Sequence, residues 1–148
     1  MNYFAYGSNM DKKRMEKRGV TIFSMQRARL EGFRLAFNKV ASRRENEGYA
    51  NIVEDPEGVV EGVLYEIKDS DIKELDFYEG CPCHYLRIKV TVKLDNGQEV
   101  TAVTYIANPN KIRDGLKPSK EYLNHLLAGK DYLSPEYFER LKATETID

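Results

Sequence analysis

The stretch Tyr85–Ala107 reads YLRIKVTVKLDNGQEVTAVTYIA, and it decides the kind of fold to expect. Apolar and polar residues alternate on both sides of Asp95-Asn96-Gly97, a tripeptide that favours a tight turn between antiparallel strands. We therefore expect two long strands, Tyr85–Leu94 and Glu99–Ala107, paired as a hairpin. A tight hairpin joins antiparallel neighbours, whereas parallel neighbours need long crossover connections.

A second turn signal lies upstream of this hairpin. Asp55-Pro56-Glu57-Gly58 has Pro at the second and Gly at the fourth position of a β-turn. We expect its flanking segments, Tyr49–Val53 and Val59–Ile67, to form another hairpin. Further towards the N-terminus, apolar residues alternate from Arg27 to Val40 across Gly32, which indicates two strand segments or one bent strand.

Four helices are predicted from capping residues and from the glycines that end helices. They begin at Ser8, Ser70, Ser119 and Ser134-Pro135, and the first three end at Gly19, Gly80 and Gly129. Because hairpins dominate the order of strands, we expect an α+β fold. The predicted architecture is a small mixed, mostly antiparallel β-barrel-like sheet with flanking helices.

Length and charge limit the classes of function. With 148 residues we expect a single domain, 1–148. Lys and Arg together number 23 against 24 Asp and Glu, so no global field attracts nucleic acid or anionic lipid. No signal-peptide pattern or apolar run of membrane-spanning length occurs. The only cysteines, Cys81 and Cys83, form no disulfide framework, so we expect a cytoplasmic protein.

One turn has the chemistry of a ligand site. The short strand Asn2–Tyr6 ends at Gly7, and Ser8 and Asn9 follow it at the start of a predicted helix. Backbone N–H groups at such a turn can bind an anion, and Gly7 allows the backbone to come close to a ligand. The Ser8 and Asn9 side chains can add hydrogen bonds. An ordinary capped turn is the competing interpretation.

The residues around this turn resemble the γ-glutamylcyclotransferase family. Tyr3-Phe4-Ala5-Tyr6-Gly7-Ser8-Asn9-Met10 is similar to the family's signature loop, and Leu75-Asp76-Phe77-Tyr78-Glu79-Gly80 is similar to the stretch with its catalytic glutamate. The similarity spans nearly the whole chain in order. It includes residues 28–35, 62–65, 118–122 and 133–137.

The resemblance implies conversion of a γ-glutamyl amide into 5-oxoproline with release of an amine or amino acid. It implies that Glu79 is the acid/base and that no metal or other cofactor takes part. It also implies six substrate-binding residues: Tyr6, Gly7, Ser8, Asn9, Tyr85 and Tyr122. Tyr85 and Tyr122 fit equally well as core residues with wet hydroxyl groups.

Other interpretations remain open at this stage. The same turn is compatible with a non-catalytic module that binds γ-glutamyl or other small carboxylate ligands. The arginines and phenylalanines of the Arg27–Phe37 strand could form a face that binds RNA. The balanced charge disfavours RNA. His84 beside the cysteines suggests a thiol nucleophile, which the cyclisation does not need. We assign His125 no function.

The departing group and the quaternary structure are not predicted by the sequence. Arg43 and Arg44 lie in a polar loop, where they are either solvated or able to reach a distal carboxylate of the substrate. No motif in the sequence indicates which amine, amino acid or peptide leaves. We expect either a monomer or a homodimer.

Overall fold

The computed structural model describes residues 1–148 and contains five strands and four α-helices. The elements, in chain order, are β1 (Asn2–Ala5), α1 (Lys12–Lys17), β2 (Ile22–Val40), β3 (Gly48–Ile67), α2 (Ile72–Glu79), β4 (Tyr85–Leu94), β5 (Glu99–Ala107), α3 (Lys120–Leu127) and α4 (Pro135–Lys142). Single turns of 3₁₀-helix precede α1 at Ser8–Met10 and α2 at Asp69–Asp71.

The five strands close into a barrel in the order β1-β3-β2-β4-β5. Every pairing is antiparallel except the contact between β1 and β5, where Tyr3 pairs with Val103 in the parallel direction. The predicted α+β fold with a mixed, mostly antiparallel barrel-like sheet and flanking helices is therefore confirmed. One cluster of 29 buried residues fills the barrel and packs the helices on it.

The hairpin predicted at Asp55–Gly58 is wrong. The two segments that flank it belong to the single strand β3, which pairs along its length with β2. Glu31 pairs with Val59 and Phe33 with Glu54, so residues 55–58 form a wide bulge opposite Gly32. Gly58 packs against the Phe33 carbonyl, where a Cβ would lie 2.3 Å from the oxygen. For residues 27–40 we expected either two strand segments or one bent strand, and the structure has one bent strand, β2.

The other hairpin and most helix boundaries match the sequence pattern. Strands β4 and β5 turn through Asp95-Asn96-Gly97, with Gly97 at a φ of 85°. Ser119 and Ser134 cap α3 and α4 by accepting hydrogen bonds from Tyr122 N and Tyr137 N. Gly80 ends α2 at a φ of 63°, so Glu79 is the last residue of that helix.

Two predicted caps are wrong. Ser8 lies in the 3₁₀ turn, and Asp11 caps α1 instead by accepting a hydrogen bond from Lys13 N. Ser70 also lies in a 3₁₀ turn, and its side chain makes no capping bond. An extra tight turn before each α-helix moves the start of the helix past the serine. No helix in the structure is long and apolar enough to cross a membrane.

Candidate active site

A cavity opens where β1 leaves the barrel. It holds about 310 Å³ of space, part of which is open to solvent, and we call it the inner cavity. All seven residues predicted for the site from the sequence line it, together with Tyr3, Ala50 and Tyr105. The predicted residues are Tyr6, Gly7, Ser8, Asn9, Glu79, Tyr85 and Tyr122.

The loop Gly7–Asn9 presents polar backbone to this cavity. None of its three N–H groups donates a hydrogen bond to an acceptor in the protein. A Cβ on Gly7 would lie 3.2 Å from Ala50 Cβ and 3.5 Å from the Tyr122 hydroxyl. The loop therefore offers a row of unused donors at a place where only glycine leaves room for a ligand.

The Asn9 side chain has a different environment from its neighbours. Its Nδ2 donates to the Tyr3 hydroxyl at 3.0 Å and to Glu79 Oε1 at 3.1 Å, and its Oδ1 accepts from Arg18 at 3.0 Å. Asn9 is also almost fully buried. Its amide is thus committed to protein groups, and it fixes the position of the Glu79 carboxylate.

Glu79 lies at the C-terminal end of α2, with its carboxylate at the cavity wall and 18% of its side chain exposed. Burial raises the pKa of this carboxyl above its ordinary value. Three cations, Arg18, Arg14 and Lys39, oppose this effect on the pKa, and so does the hydrogen bond from Asn9. A carboxyl with a raised pKa is suited to both accept and return a proton near neutral pH.

The two predicted pocket tyrosines bind the same peptide group in opposite ways. The Tyr85 hydroxyl donates to Ala50 O at 2.7 Å, whereas the Tyr122 hydroxyl accepts from Ala50 N at 3.0 Å. Burial raises the pKa of both hydroxyls, so both stay protonated. The Tyr85 proton is therefore used inside the protein, while the Tyr122 proton is free for the cavity.

A second depression, the outer basin, adjoins the inner cavity and holds about 840 Å³ of space, part of which is open to solvent. Ser8, Glu79, Tyr85 and Tyr122 line both spaces, so Glu79 stands at their boundary. The remaining basin residues are mostly cationic or aromatic. They are Arg14, Arg18, Lys39, Ser42, Tyr49, Phe77, Tyr78, Gly80 and His84.

Several of these residues were not predicted for the site. Arg14 and Arg18 look like solvated residues of a polar helix, yet Arg14 in α1 and Arg18 at its C-terminal cap are four residues apart and both line the basin. Lys39 fits the polar positions of the alternating pattern in β2, so nothing in the sequence marks it as a basin residue. The i, i+4 spacing of the arginines is the one sequence feature that identifies basin residues.

Arg43 and Arg44 are exposed, with 45% of each side chain accessible, as expected for a solvated loop pair, but both also pair with one carboxylate. The Arg43 guanidinium makes two 2.9 Å bonds to Glu47, whose side chain is fully buried, and neither arginine lines the inner cavity or the outer basin. Arg44 lies 3.5 Å from the same carboxylate. A buried carboxylate needs such partners, and the two arginines provide them.

The remaining sequence candidates lie outside the chemistry. Cys81 and Cys83 are both free thiols, and neither lines the inner cavity or the outer basin. His125 has a place that the sequence did not show: its Nδ1 lies 2.8 Å from Asp11 and its Nε2 3.3 Å from Arg14. No group of three or more His, Cys, Asp or Glu side chains is arranged to hold a metal ion.

A largely buried acid, an unpaired row of N–H groups and a free hydroxyl proton around one cavity are typical of an enzyme for small molecules. Comparison with known proteins gives the family. The model described as "Gamma-glutamyl cyclotransferase, AIG2-like" matches residues 3–131. The mouse protein named gamma-glutamylcyclotransferase is 33% identical over 149 residues, which cover 97% of this chain and 78% of that protein.

The human protein of the same name is 32% identical over 152 residues, covering 99% of this chain and 79% of its own. A solved structure named gamma-glutamyl cyclotransferase has a TM-score of 0.86 and 31% identity, and it covers 100% of this chain and 89% of its own. The chain therefore belongs to the AIG2-like gamma-glutamyl cyclotransferase family, and it is an enzyme of this type.

Proposed function

We propose that this protein is a cytoplasmic, single-domain γ-glutamylcyclotransferase that converts a γ-glutamyl amide into 5-oxoproline and a free amine or amino acid. Glu79 acts first as general base and then as general acid. The observation that carries the proposal is the place of its carboxylate, on a wall shared by the Gly7–Asn9 loop and by the basin outside. The proposed chemistry uses no metal or other cofactor.

In this proposal the glutamyl group occupies the inner cavity. Its α-carboxylate accepts hydrogen bonds from the N–H groups of Gly7, Ser8 and Asn9, which have no acceptor in the protein. The Tyr6 and Tyr85 hydroxyls use their protons on Tyr105 O and Ala50 O, so they offer lone pairs to the substrate's α-ammonium. Both ends of the amino acid group thus find complementary atoms.

The reaction needs little from the enzyme beyond positioning and proton transfer. The substrate's α-nitrogen attacks its own γ-carbonyl carbon, and orienting such a tethered nucleophile recovers on the order of 7 to 11 kcal/mol of barrier. Deprotonating an α-ammonium with a pKa near 8 costs only about 1.4 kcal/mol at pH 7. A nearby carboxylate base such as Glu79 is sufficient for that step.

Two protons have to move for each turnover. The attacking nitrogen begins as an ammonium with three hydrogens and ends as a lactam N–H with one, while the departing nitrogen begins with one hydrogen and leaves as an ammonium with three. Glu79 takes the first proton before attack and returns it to the departing nitrogen as the old C–N bond breaks. The second proton follows by the same carboxylate or through water.

The oxygen of the γ-carbonyl becomes an oxyanion when the ring forms, and it needs a donor. Tyr122 is suited to this role because its hydroxyl accepts from Ala50 N and keeps its own proton free. Burial raises the pKa of this hydroxyl, so it stays protonated near neutral pH. Tyr85 lacks a free proton and is not expected to serve as this donor.

A panel of substrates tests the proposal. The purified protein is incubated with γ-glutamyl amino acids, a γ-glutamyl amine and glutathione, and 5-oxoproline is measured. We expect 5-oxoproline from at least one of them at a rate that depends on Glu79. Calorimetric binding of all of them without any 5-oxoproline would contradict the proposal and favour a binding module.

A further inference from the structure

Lys39 is a buried cation without an acidic partner. It is only 3% exposed, although it lines the outer basin, and no carboxylate lies within 4.0 Å of its ammonium group. Its Nζ donates to Val40 O at 2.9 Å and contacts His84 Nδ1 at 2.9 Å, which leaves one of its three N–H groups unused. Burying an ammonium without a counter-ion is costly unless an anion joins it.

The groups around Lys39 orient its ammonium group but do not neutralise its charge. Because an ammonium can only donate, His84 must accept through Nδ1 and carry its own proton on Nε2. Its imidazole packs on Gly80, where a Cβ would lie 2.8 Å from the ring, so it is anchored directly beside Glu79. The rings of Tyr49 and Tyr85 lie 5.6 and 5.5 Å from Nζ and favour the cation without cancelling its charge.

Arg14 is a second basin cation without a carboxylate of its own. It is held through His125 Nε2 at 3.3 Å, and its Nε is buried without any hydrogen-bond partner. Arg18 differs, because it bonds to Asn9 and lies 3.9 Å from Glu79. Two of the three basin cations are therefore available to an anion from outside.

We propose that the outer basin binds a carboxylate on the departing half of the substrate, with Lys39 as the main donor and Arg14 as the second. The inference rests on the proposed function, because it takes the glutamyl group to fill the inner cavity. Glu79 lines both spaces, so the bond that breaks lies at their boundary and the departing group lies in the basin. The substrates are then γ-glutamyl amino acids or peptides, and γ-glutamylamines are poor substrates.

Two substrates that differ only in this carboxylate test the proposal: γ-glutamyl-L-alanine and γ-glutamylethylamide. We expect kcat/KM of the wild-type enzyme to be about 100-fold higher for the alanine compound, as for a charge-assisted pair with a buried cation. The Lys39→Met variant should lose about 100-fold on the alanine compound and less than 3-fold on the ethylamide. Arg14→Met should show the same selectivity with a smaller loss, of about 10-fold.

Lys89→Met is the matched control, since Lys89 is an exposed residue of β4 that lines neither cavity, and it should leave both substrates unaffected. Thermal unfolding checks that each variant is folded. An equal loss on both substrates, with a moved acidic limb of the pH profile, would mean that Lys39 acts only through the charge of Glu79 and would overturn the proposal. No loss on either substrate would overturn it as well.

If Lys39→Met does not fold, the wild-type enzyme and Arg14→Met still decide the question. Equal wild-type kcat/KM values for the two substrates would overturn the carboxylate site and leave the proposed cyclisation intact. Absence of 5-oxoproline from both substrates would instead overturn the proposed function, and this inference with it.

Discussion

The inner cavity and the outer basin share four residues but differ in chemical character. The inner cavity is lined by neutral tyrosines and unpaired backbone N–H groups, and the pKa values of its hydroxyls are raised by burial. The outer basin is lined by Arg14, Arg18 and Lys39, and its only carboxylate is Glu79 at the boundary.

This difference separates two tasks within one depression. Fixed neutral dipoles at the inner wall can stabilise an oxyanion that appears during a reaction, and the Gly7–Asn9 N–H groups can also bind a carboxylate. Fixed cations select a ligand that is already anionic. The inner wall is therefore suited to catalysis and the basin to the choice of substrate, with Glu79 in contact with both.

The largest expected effect comes from Glu79→Gln, which keeps the shape and the acceptor for Asn9 but cannot carry a proton. We expect 5-oxoproline formation to fall by about 10³-fold while calorimetry still detects substrate binding. Glu74→Gln, on the same helix, is the control and should have nearly wild-type activity. Full activity of Glu79→Gln would remove this carboxylate from the mechanism.

The second comparison is between Tyr122→Phe and Tyr85→Phe. Each change removes one hydroxyl and leaves one polar atom of Ala50 without its partner, so the structural damage is similar. Only Tyr122 has a proton free for the cavity, and we expect its loss to lower kcat by about 10²-fold. Tyr85→Phe should lower kcat by about 10-fold or less. Equal effects on kcat would contradict the assignment of Tyr122 as the oxyanion donor.

The pH profile is expected to report the balance of charges at the boundary. Glu79 must be ionised to act as a base, and burial raises its pKa, so kcat/KM should fall with decreasing pH at a midpoint above the ordinary carboxyl value of 4.5. Arg18 is the strongest opposing charge. Arg18→Met should therefore move the acidic limb to still higher pH, and a limb that stays in place would argue against this coupling.

The smallest expected effect is on stability. Because the pKa of Glu79 is higher in the folded chain than in the unfolded one, folding disfavours the charged carboxylate, and the native state loses stability as pH rises through the folded-state value. Glu79→Gln should thus raise the Tm at pH 7 by roughly 2 °C, with no gain below pH 4. A lower Tm at pH 7 would show that the carboxylate stabilises the fold.

The sequence predicted what is decided locally. Asp95-Asn96-Gly97 contains the residues that a tight hairpin demands, and Gly80 marks the helix end that holds Glu79. Asp55-Pro56-Glu57-Gly58 satisfies the same local preferences inside a bulge, since Asp55 accepts a hydrogen bond from Glu57 N there. Pairing with the long strand β2, which depends on distant residues, decides between the two outcomes.

The site shows a similar division. That the Tyr6–Asn9 loop and Glu79 line one cavity could be predicted, because they form continuous segments that resemble a known family. The place of Lys39 in the outer basin could not be predicted. In the sequence, one lysine near the end of an alternating strand looks like an ordinary exposed residue. The role of Asn9 as a support for Glu79 depends on a contact between residues 70 positions apart, which no local pattern contains.

The single parallel pair that closes the barrel, Tyr3 with Val103, has a consequence for how the protein matures. Thr104 bonds to the Phe4 carbonyl across 100 positions, and Tyr6 bonds to the Tyr105 carbonyl across 99. Forming such distant contacts is entropically costly and slows folding. Glu79 and the Gly7–Asn9 loop are synthesised before β5, which closes the barrel on β1 and contributes Tyr105 to the inner cavity. We therefore expect a nascent chain that ends before β5 to lack the complete cavity.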